Sequence, residues 1–579
     1  MHFDDLTHYL YARWAWTWPA YLLDDWGRPG FTAAYFLPAR LGWDACRALS
    51  AVLSSAAAFF AYLVASNLGL RRAWAVIPLA YLQPLYFQLS QTTLTETPTA
   101  FYLVLAVWLA QRSHWTASAA VVSLTFVTRH EAVVLLPVWL AAARQAKVPL
   151  RWLWPIAWAP VVVNLLAPFA DMRPAVAQFL DPTRAGQYGR GGWLTFLSRS
   201  LEAWGPAVAI LALIGLVEAG HGSGEQEKGG GKAGTNRGAN RLVTLSIVVY
   251  FAAQTVVRAM GLYDSGGYAR FLVPLSPLIA VAALAGWNRL ISAEPAERQR
   301  ALILIALAML LLWAAMERQL VLHAARADEA AEVPELHKAV FAMRVVTAVV
   351  VGLAILLAAI PTGRDSLRKG TGSRERGTGD SRTGSEGSGA DDGAASGVSA
   401  LLRQGRAGLS APSAGAARRE SGVGAGLLRL AMPAALVALM GLAAYALCGP
   451  LKPPPEDRLI AEARKRLADV GLGDRDVLSA NVWIDYVTGR AQPPWRRPVR
   501  EQLRTAAIGT LFAWERQFAG SLDHGIALDD LAKDPGMRLV LVTPALPYQT
   551  SPYLTIFEKV ADWPKEVRDA AVSNHAPRP

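Results

Sequence analysis

The chain is 579 residues long, 53% hydrophobic and only 18% charged, with a formal net charge of +12. A soluble chain of this size divides into several domains and carries far more surface charge, so the composition excludes a water-soluble assembly. The excess of bases falls in loops between apolar runs, which argues against a nucleic-acid surface, and the two cysteines, Cys46 and Cys448, provide neither zinc spacing nor a disulfide framework.

Taken in order, the chain opens on a polar stretch, Met1–Asp5, where a cleavable signal would need to be apolar. Residues 7–42 are aromatic-rich and interrupted by Pro19, Pro29 and Pro38, a pattern that predicts interfacial helices lying on the bilayer with their Trp and Tyr rings as a belt. Apolar runs then predict twelve spans near 46–69, 73–90, 98–111, 115–127, 131–144, 152–170, 203–219, 242–260, 271–291, 301–321, 341–361 and 426–448. Residues 220–240 and 363–425 are low in large apolar side chains and read as disordered loops. After Pro453-Pro454-Pro455 the composition becomes charged, with strands expected over Val477–Val487 and Met537–Thr543 and helices over Glu456–Val470 and Val499–Phe518.

The fold class is therefore mainly α: a polytopic transmembrane helical bundle with a small C-terminal soluble α/β domain. Its expected divisions are an external loop with interfacial helices (1–45), a multi-span region (46–361), a basic cytoplasmic loop (362–425), a last span (426–449) and an external α/β domain (450–579). Alternating the spans puts Arg71-Arg72, Arg112, Arg144, Lys147, Arg151, Lys228, Lys232, Arg241, Arg298 and Arg300 on one side, which the positive-inside bias makes cytoplasmic. The external side then collects Asp4, Asp5, Glu96, Arg129, His130, Glu131, Tyr263-Asp264, Arg270 and the C-terminal domain.

Five short motifs lie in sequence on that face. They are Asp4-Asp5 with Tyr9, Trp26-Gly27-Arg28-Pro29, Thr95-Glu96-Thr97-Pro98, Thr128-Arg129-His130-Glu131 ahead of Leu135-Leu136-Pro137, and Gly266-Gly267-Tyr268-Ala269-Arg270-Phe271-Leu272-Val273-Pro274. In order and spacing the chain resembles, over roughly residues 1–290, the polyprenyl-phosphate-dependent glycosyltransferases of the GT-C superfamily, in the branch holding protein O-mannosyltransferases and aminoarabinose transferases. Members of that superfamily begin with a transmembrane helix that delivers the acidic pair, so the resemblance implies a first helix ahead of Met1, through a late start or a fragment. It implies catalytic roles for Asp4 and Asp5, with Asp4 as general base and Asp5 orienting the acceptor or assisting a divalent ion. It also implies substrate-binding roles for Glu96, Arg129, His130, Glu131, Tyr268 and Arg270.

Each residue also has a plainer reading. An acidic pair near a terminus can solvate a helix start. Arg270 at a span's outer end can bind phosphate through its fork of donors or snorkel to headgroups. Arg129-His130-Glu131 can serve a site or pair within an exposed turn. Glu96 opens a span, where the helix dipole favours a carboxylate; orienting substrate is its alternative role. No Walker loop, dinucleotide fingerprint or paired metal motif is present in its required context, and a divalent ion at Asp4 and Asp5 stays an open alternative. The expected function is transfer of a sugar from a polyprenyl-phosphate donor to a protein, glycan or lipid acceptor on the external face of a bacterial inner or plasma membrane, with membrane lipid and no nucleic acid as partners. The rivals are a polysaccharide or lipid flippase or transporter, and a catalytically inactive, membrane-anchored binding protein.

Overall fold

A computed structural model describes residues 3–178, 190–221, 237–263, 265–292, 433–435, 437–441, 455–493, 499–515, 519, 526–545 and 552–562. Two short helices, α1 (Phe3–Trp14) and α2 (Pro29–Leu41), precede the long apolar α3 (Trp43–Asn67). The predicted span 73–90 is divided into α4 (Val76–Tyr81) and α5 (Pro84–Leu89). Pro84 lacks an N–H and forces Gln83 into an extended conformation, φ −78° and ψ 119°, which ends α4. There follow α6 (Glu96–Gln111), α7 (Trp115–Thr128), α8 (Leu136–Gln145), α9 (Trp158–Leu166), α10 (Thr195–Trp204), α11 (Pro206–His221), α12 (Arg237–Met260) and α13 (Ser276–Ser292).

Among the described residues, four helical stretches are long and apolar enough to cross a bilayer: Trp43–Asn67, Leu150–Ala170, Arg241–Met260 and Ala269–Ile291. The chain is an integral membrane protein. The expected span 203–219 begins inside a bend of 114° between α10 and α11, made where Gly205 takes φ +74° ahead of Pro206. The expected spans 98–111, 115–127 and 131–144 correspond to α6, α7 and α8, which have only 16, 14 and 10 residues. The ends of the expected loop 220–240 belong to α11 and α12. Its remaining residues 222–236, the expected loop 363–425, the spans 301–321 and 341–361, most of 426–448 and Asp264 lie outside the described residues.

The main apolar core runs along α3, α4, α6, α7, α8 and α10–α13. Its tightest crossing joins α11 to α13, where a Cβ on Gly215 would stand 2.0 Å from the Ala282 carbonyl oxygen and one on Gly286 2.0 Å from that of Leu211. Such reciprocal contact of backbones requires small residues, the usual device for packing helices in lipid. Gly286→Leu is accordingly expected to separate the two helices and lower stability by about 1–3 kcal/mol or more, read as a fall in melting temperature of the purified protein.

The C-terminal domain begins with α14 (Pro455–Asp469) and holds a four-stranded sheet in the order β1-β2-β4-β3, with β1 (Val477–Ser479) parallel to β2 (Leu511–Glu515) and β2 and β3 (Met537–Val542) both antiparallel to β4 (Leu554–Lys559). The expected strand Val477–Val487 stops after three residues. The Asn481 side chain accepts from the Trp483 N–H at 2.9 Å and caps a new helix, α15 (Val482–Thr488). The expected helix Val499–Phe518 likewise ends at Thr505 (α16, Val499–Thr505); Gly509 turns the chain at φ +94°, and the fully buried Leu511–Glu515 becomes a central strand. A further short helix, α17 (Leu528–Lys533), precedes β3.

The N-terminal segment departs most from expectation. Tyr9, Tyr11, Trp14, Tyr21 and Tyr35 are buried in an apolar cluster shared with Ile460, Ala463, Trp483, Ile484, Leu511 and Leu554 of the C-terminal domain. A belt of rings facing headgroups was expected; these rings are protein core instead. Covering both faces of α1 removes more apolar surface from water than laying one face on a bilayer. The Tyr21 hydroxyl donates to the Gln492 carbonyl at 2.7 Å, which ties the two regions together.

Candidate active site at the helix ends

Helix α1 offers two consecutive carboxylates that project about 100° apart around its axis. They diverge accordingly. Asp4 Oδ2 meets Arg270 Nη2 at 2.5 Å, closing a contact between residues 266 positions apart. Asp5 is fully buried and turns to Thr93, whose backbone N–H donates to Oδ1 at 2.5 Å and whose hydroxyl donates to the same oxygen. Among the described residues, Asp5 Oδ2 has no hydrogen-bond partner.

From Arg270 the charges continue inward. Its Nε lies 3.6 Å from Glu96 Oε1, and the same oxygen accepts from Arg129 Nη1 at 2.8 Å. Arg129 then reaches Glu131 Oε1 with Nη2 at 2.6 Å and Nε at 2.8 Å, and Gln254 Nε2 of α12 donates to that oxygen at 3.3 Å. Phe271 lies below both guanidiniums, with Cζ of Arg129 4.7 Å and of Arg270 5.7 Å from its ring centre. Each member comes from the end of an element. Glu96 opens α6, Arg129 follows α7, and Arg270 lies in the 3₁₀ turn leading into α13. These are places where apolar runs stop and where side chains from several helices can meet.

Of the candidate residues, five (Asp4, Glu96, Arg129, Glu131 and Arg270) form this one network. Glu96 is 2% exposed and engaged by Arg129, so it is far more than a dipole-favoured terminal charge. Arg270 is held by protein carboxylates, which sets aside the snorkelling alternative. His130 stands to one side, its Nδ1 2.5 Å from Arg28 Nη1. Tyr268 is 38% exposed and packs edge-on to Phe271, with Arg270 5.2 Å over its ring. Asp5 is the candidate that the site does not take in.

Two participants, Arg28 and His8, were not among the candidates, and neither was Thr93, which holds Asp5 beside the network. Arg28 precedes Pro29 and adopts φ +62°, a conformation costly for a side chain of this size and one that tends to be kept at working sites. Gly30 lets α2 press against α7, since a Cβ there would fall 2.2 Å from Thr128 Oγ1. The signal for Arg28 was its place between Gly27 and Pro29; His8 had only its position one turn beyond Asp4. Thr93 had no sequence signal at all.

The electrostatics of α1 make a testable pair. Burial pushes Asp5 up to about 6, against the opposing Thr93 hydrogen bonds and the nearby Arg47. Burial pushes His8 down to about 4, opposed by Asp4, and leaves the imidazole neutral at pH 7, stacked 5.2 Å from Trp26. A raised carboxylate loses stability as pH rises from its ordinary value of 3.8 towards 6; a depressed histidine loses stability as pH falls from 6.5 towards 4. The two trends oppose each other in the wild type. Asp5→Asn keeps the Oδ1 acceptor and removes the buried charge, so it is expected to raise the melting temperature at pH 8 but not at pH 4. Its melting curve between those values should then fall with acid as His8 alone dictates. An equal shift at both pH values would contradict this.

Asp4 and Asp5 do not converge on a shared point, and among the described residues no group of three or more His, Cys, Asp or Glu side chains could hold a metal ion.

A bundle of apolar helices whose polar ends converge on a buried ionic network, with a small α/β domain packed on α1, defines a polytopic helical membrane protein with a built polar site. No protein-family model and no curated protein matches the chain. Two solved structures are similar in overall fold: ArnT from Cupriavidus metallidurans bound to undecaprenyl phosphate, at 13% identity and TM-score 0.48 over 97% of this chain and 95% of that one, and ArnT from the same organism in the apo state, at 14% identity and TM-score 0.48 over 97% and 94%.

Proposed function

We propose that the chain is an integral membrane glycosyltransferase that transfers a sugar from a polyprenyl-phosphate donor to a protein, glycan or lipid acceptor on the external face of the membrane. The observation that carries this reading is the contact of Asp4 with Arg270 at the head of the Glu96–Arg129–Glu131 network. It puts a carboxylate beside guanidiniums where apolar helices end, and it unites residues from four of the five motifs that resemble the GT-C family. Asp4 accepts the proton of the acceptor hydroxyl, whose oxygen attacks the anomeric carbon with inversion. The bond from that carbon to the phosphate oxygen breaks, and its electron pair leaves on the polyprenyl phosphate. Arg270 receives that phosphate through its guanidinium fork, with Arg129 behind it adding positive potential. Asp5 and Thr93 hold the first turn of α1 in place.

A transporter would favour charges near the middle of broken, repeated spans; here the charges stand at helix termini. The deciding experiment supplies purified protein in vesicles with a doubly labelled polyprenyl-phosphate sugar. Transfer separates the sugar label from the lipid label, whereas flipping moves both together across the bilayer, and that second outcome would refute the proposal. A reporter fused after Pro579 should read external. A cytoplasmic readout would remove the proposed sidedness.

A further inference from the structure

At the end of α1 away from Asp4, a cavity of about 340 Å³ opens between that helix and the C-terminal domain. Arg13 and Trp16 line it from the N-terminal side, Arg40 from the last turn of α2, and Asp485, Tyr486 and Arg490 from the region of α15. The charge on its wall is unbalanced. Asp485 is 1% exposed, and its carboxylate is engaged by Gln492. Among the described residues none of the three arginines is in an ion pair. Arg13 donates to the Tyr9 hydroxyl at 2.8 Å, Arg490 donates to the Val477 carbonyl at 3.0 Å, and Arg40 lies 4.7 Å over the Trp16 ring. Each guanidinium has five N–H donors, so each retains several for a ligand.

Three guanidiniums against the single Asp485 carboxylate leave the hollow net positive, and an anion received there by more than one fork offsets that excess. The aromatic groups add a second requirement. Trp16 is fixed by its stack on Phe36 at 4.1 Å and by its Nε1–H bond to the Phe36 carbonyl, yet 37% of its surface is exposed; Tyr486 is 39% exposed. A rigid indole and a phenol at the mouth of a cationic cavity suit a ring that is both apolar on one face and rich in hydroxyls. The nine residues from Asp4 to Arg13 place the cavity about 14 Å along α1 from the reacting carboxylate, a distance that a glycan chain spans.

The geometry points to a recognition site for an anionic sugar, phosphorylated or carboxylate-bearing, on the acceptor. Calling that ligand an acceptor rests on the transferase reading above; the site itself does not. Its chemistry is a guanidinium cluster for the anion and aromatic surface for the sugar ring. The same anion chemistry could be met by a lipid headgroup or by free phosphate, and the test separates these.

The full chain in nanodiscs of neutral lipid is titrated with glucose 1-phosphate, with glucose and with inorganic phosphate, by calorimetry. Saturable binding of glucose 1-phosphate, tighter than either of its parts, is expected. Arg40→Gln and Arg490→Gln should each weaken it by about tenfold, the loss of one charge-assisted hydrogen bond. Arg40→Lys should lose less, and Tyr486→Ala should lower the preference over inorganic phosphate. Equal affinity in wild type and both Gln variants overturns the site. Equal affinity for inorganic phosphate overturns its selectivity for sugars, and loss of binding in nanodiscs containing phosphatidylglycerol makes it a headgroup site and overturns the proposal. Arg40 is exposed, so its variants should fold as the wild type does. Because the readout is binding, Asp4→Asn should retain it. Binding without any transfer by the wild type would refute the transferase and leave the site standing; transfer without binding would do the reverse.

Discussion

Asp4→Asn is expected to lower the rate of sugar transfer by about 10²–10⁴-fold, the usual contribution of a positioned general base. The substitution is nearly isosteric and keeps an oxygen facing Arg270 Nη2, so the geometry of the first turn of α1 survives. What is lost is the capacity to take a proton and the charge opposite the guanidinium. The Asp4 side chain is 25% exposed, which limits the stability cost of the change and makes a large loss of rate attributable to chemistry. Wild type and variant should be compared with labelled polyprenyl-phosphate sugar at saturating donor, with donor affinity measured in parallel. Equal rates would sink the assignment of Asp4 as base. A loss confined to donor affinity would move its role to positioning Arg270.

Arg129→Met should be the most destabilising single change in the site. Among the described residues, Arg129 alone pairs with both Glu96 and Glu131, and its removal leaves Glu96 with the longer 3.6 Å contact to Arg270 as its ion pair there. Breaking a buried ion pair from one side costs about 3–5 kcal/mol, because the remaining charge is neither hydrated nor neutralised. A marked drop in melting temperature is therefore expected along with loss of activity. Adding Glu96→Gln to Arg129→Met should recover part of the stability but none of the activity, a coupling that a double-mutant cycle reads directly. Arg129→Lys should fall between, since an ammonium cannot serve two carboxylates through a planar fork. If Arg129→Met melted as the wild type does, the network would not be a structural element of the fold.

The helical membrane architecture was legible because the length of apolar runs is a strong physical signal, and the ends of those runs picked out Glu96, Arg129 and Arg270. The meeting of Asp4 with Arg270 was not legible, since it depends on how α1 and the turn before α13 are packed across 266 positions of sequence. Aromatic residues at the start of the chain misled for a related reason. A ring suited to a headgroup layer is equally suited to a protein interior, and only the C-terminal domain lying over α1 decides between them. In that domain the apolar stretch Leu511–Glu515 carried no period distinguishing helix from strand; burial on both faces made it the central strand. Arg28 and Thr93 escaped because a single polar residue next to a turn is common, and its value comes from what it faces.

The candidate site sets the guanidiniums of Arg28, Arg129 and Arg270 among the carboxylates of Asp4, Glu96 and Glu131. A region so close to electroneutrality admits a further anion only by exchange. The most exposed of those carboxylates, joined by the contact to Arg270, is Asp4. Under the proposed chemistry the incoming donor phosphate takes Asp4's place on Arg270, and the displaced carboxylate becomes basic when an activated sugar stands beside it. On that reading the ion pair is an interlock: Asp4 is freed as the donor phosphate arrives on Arg270, so donor precedes acceptor.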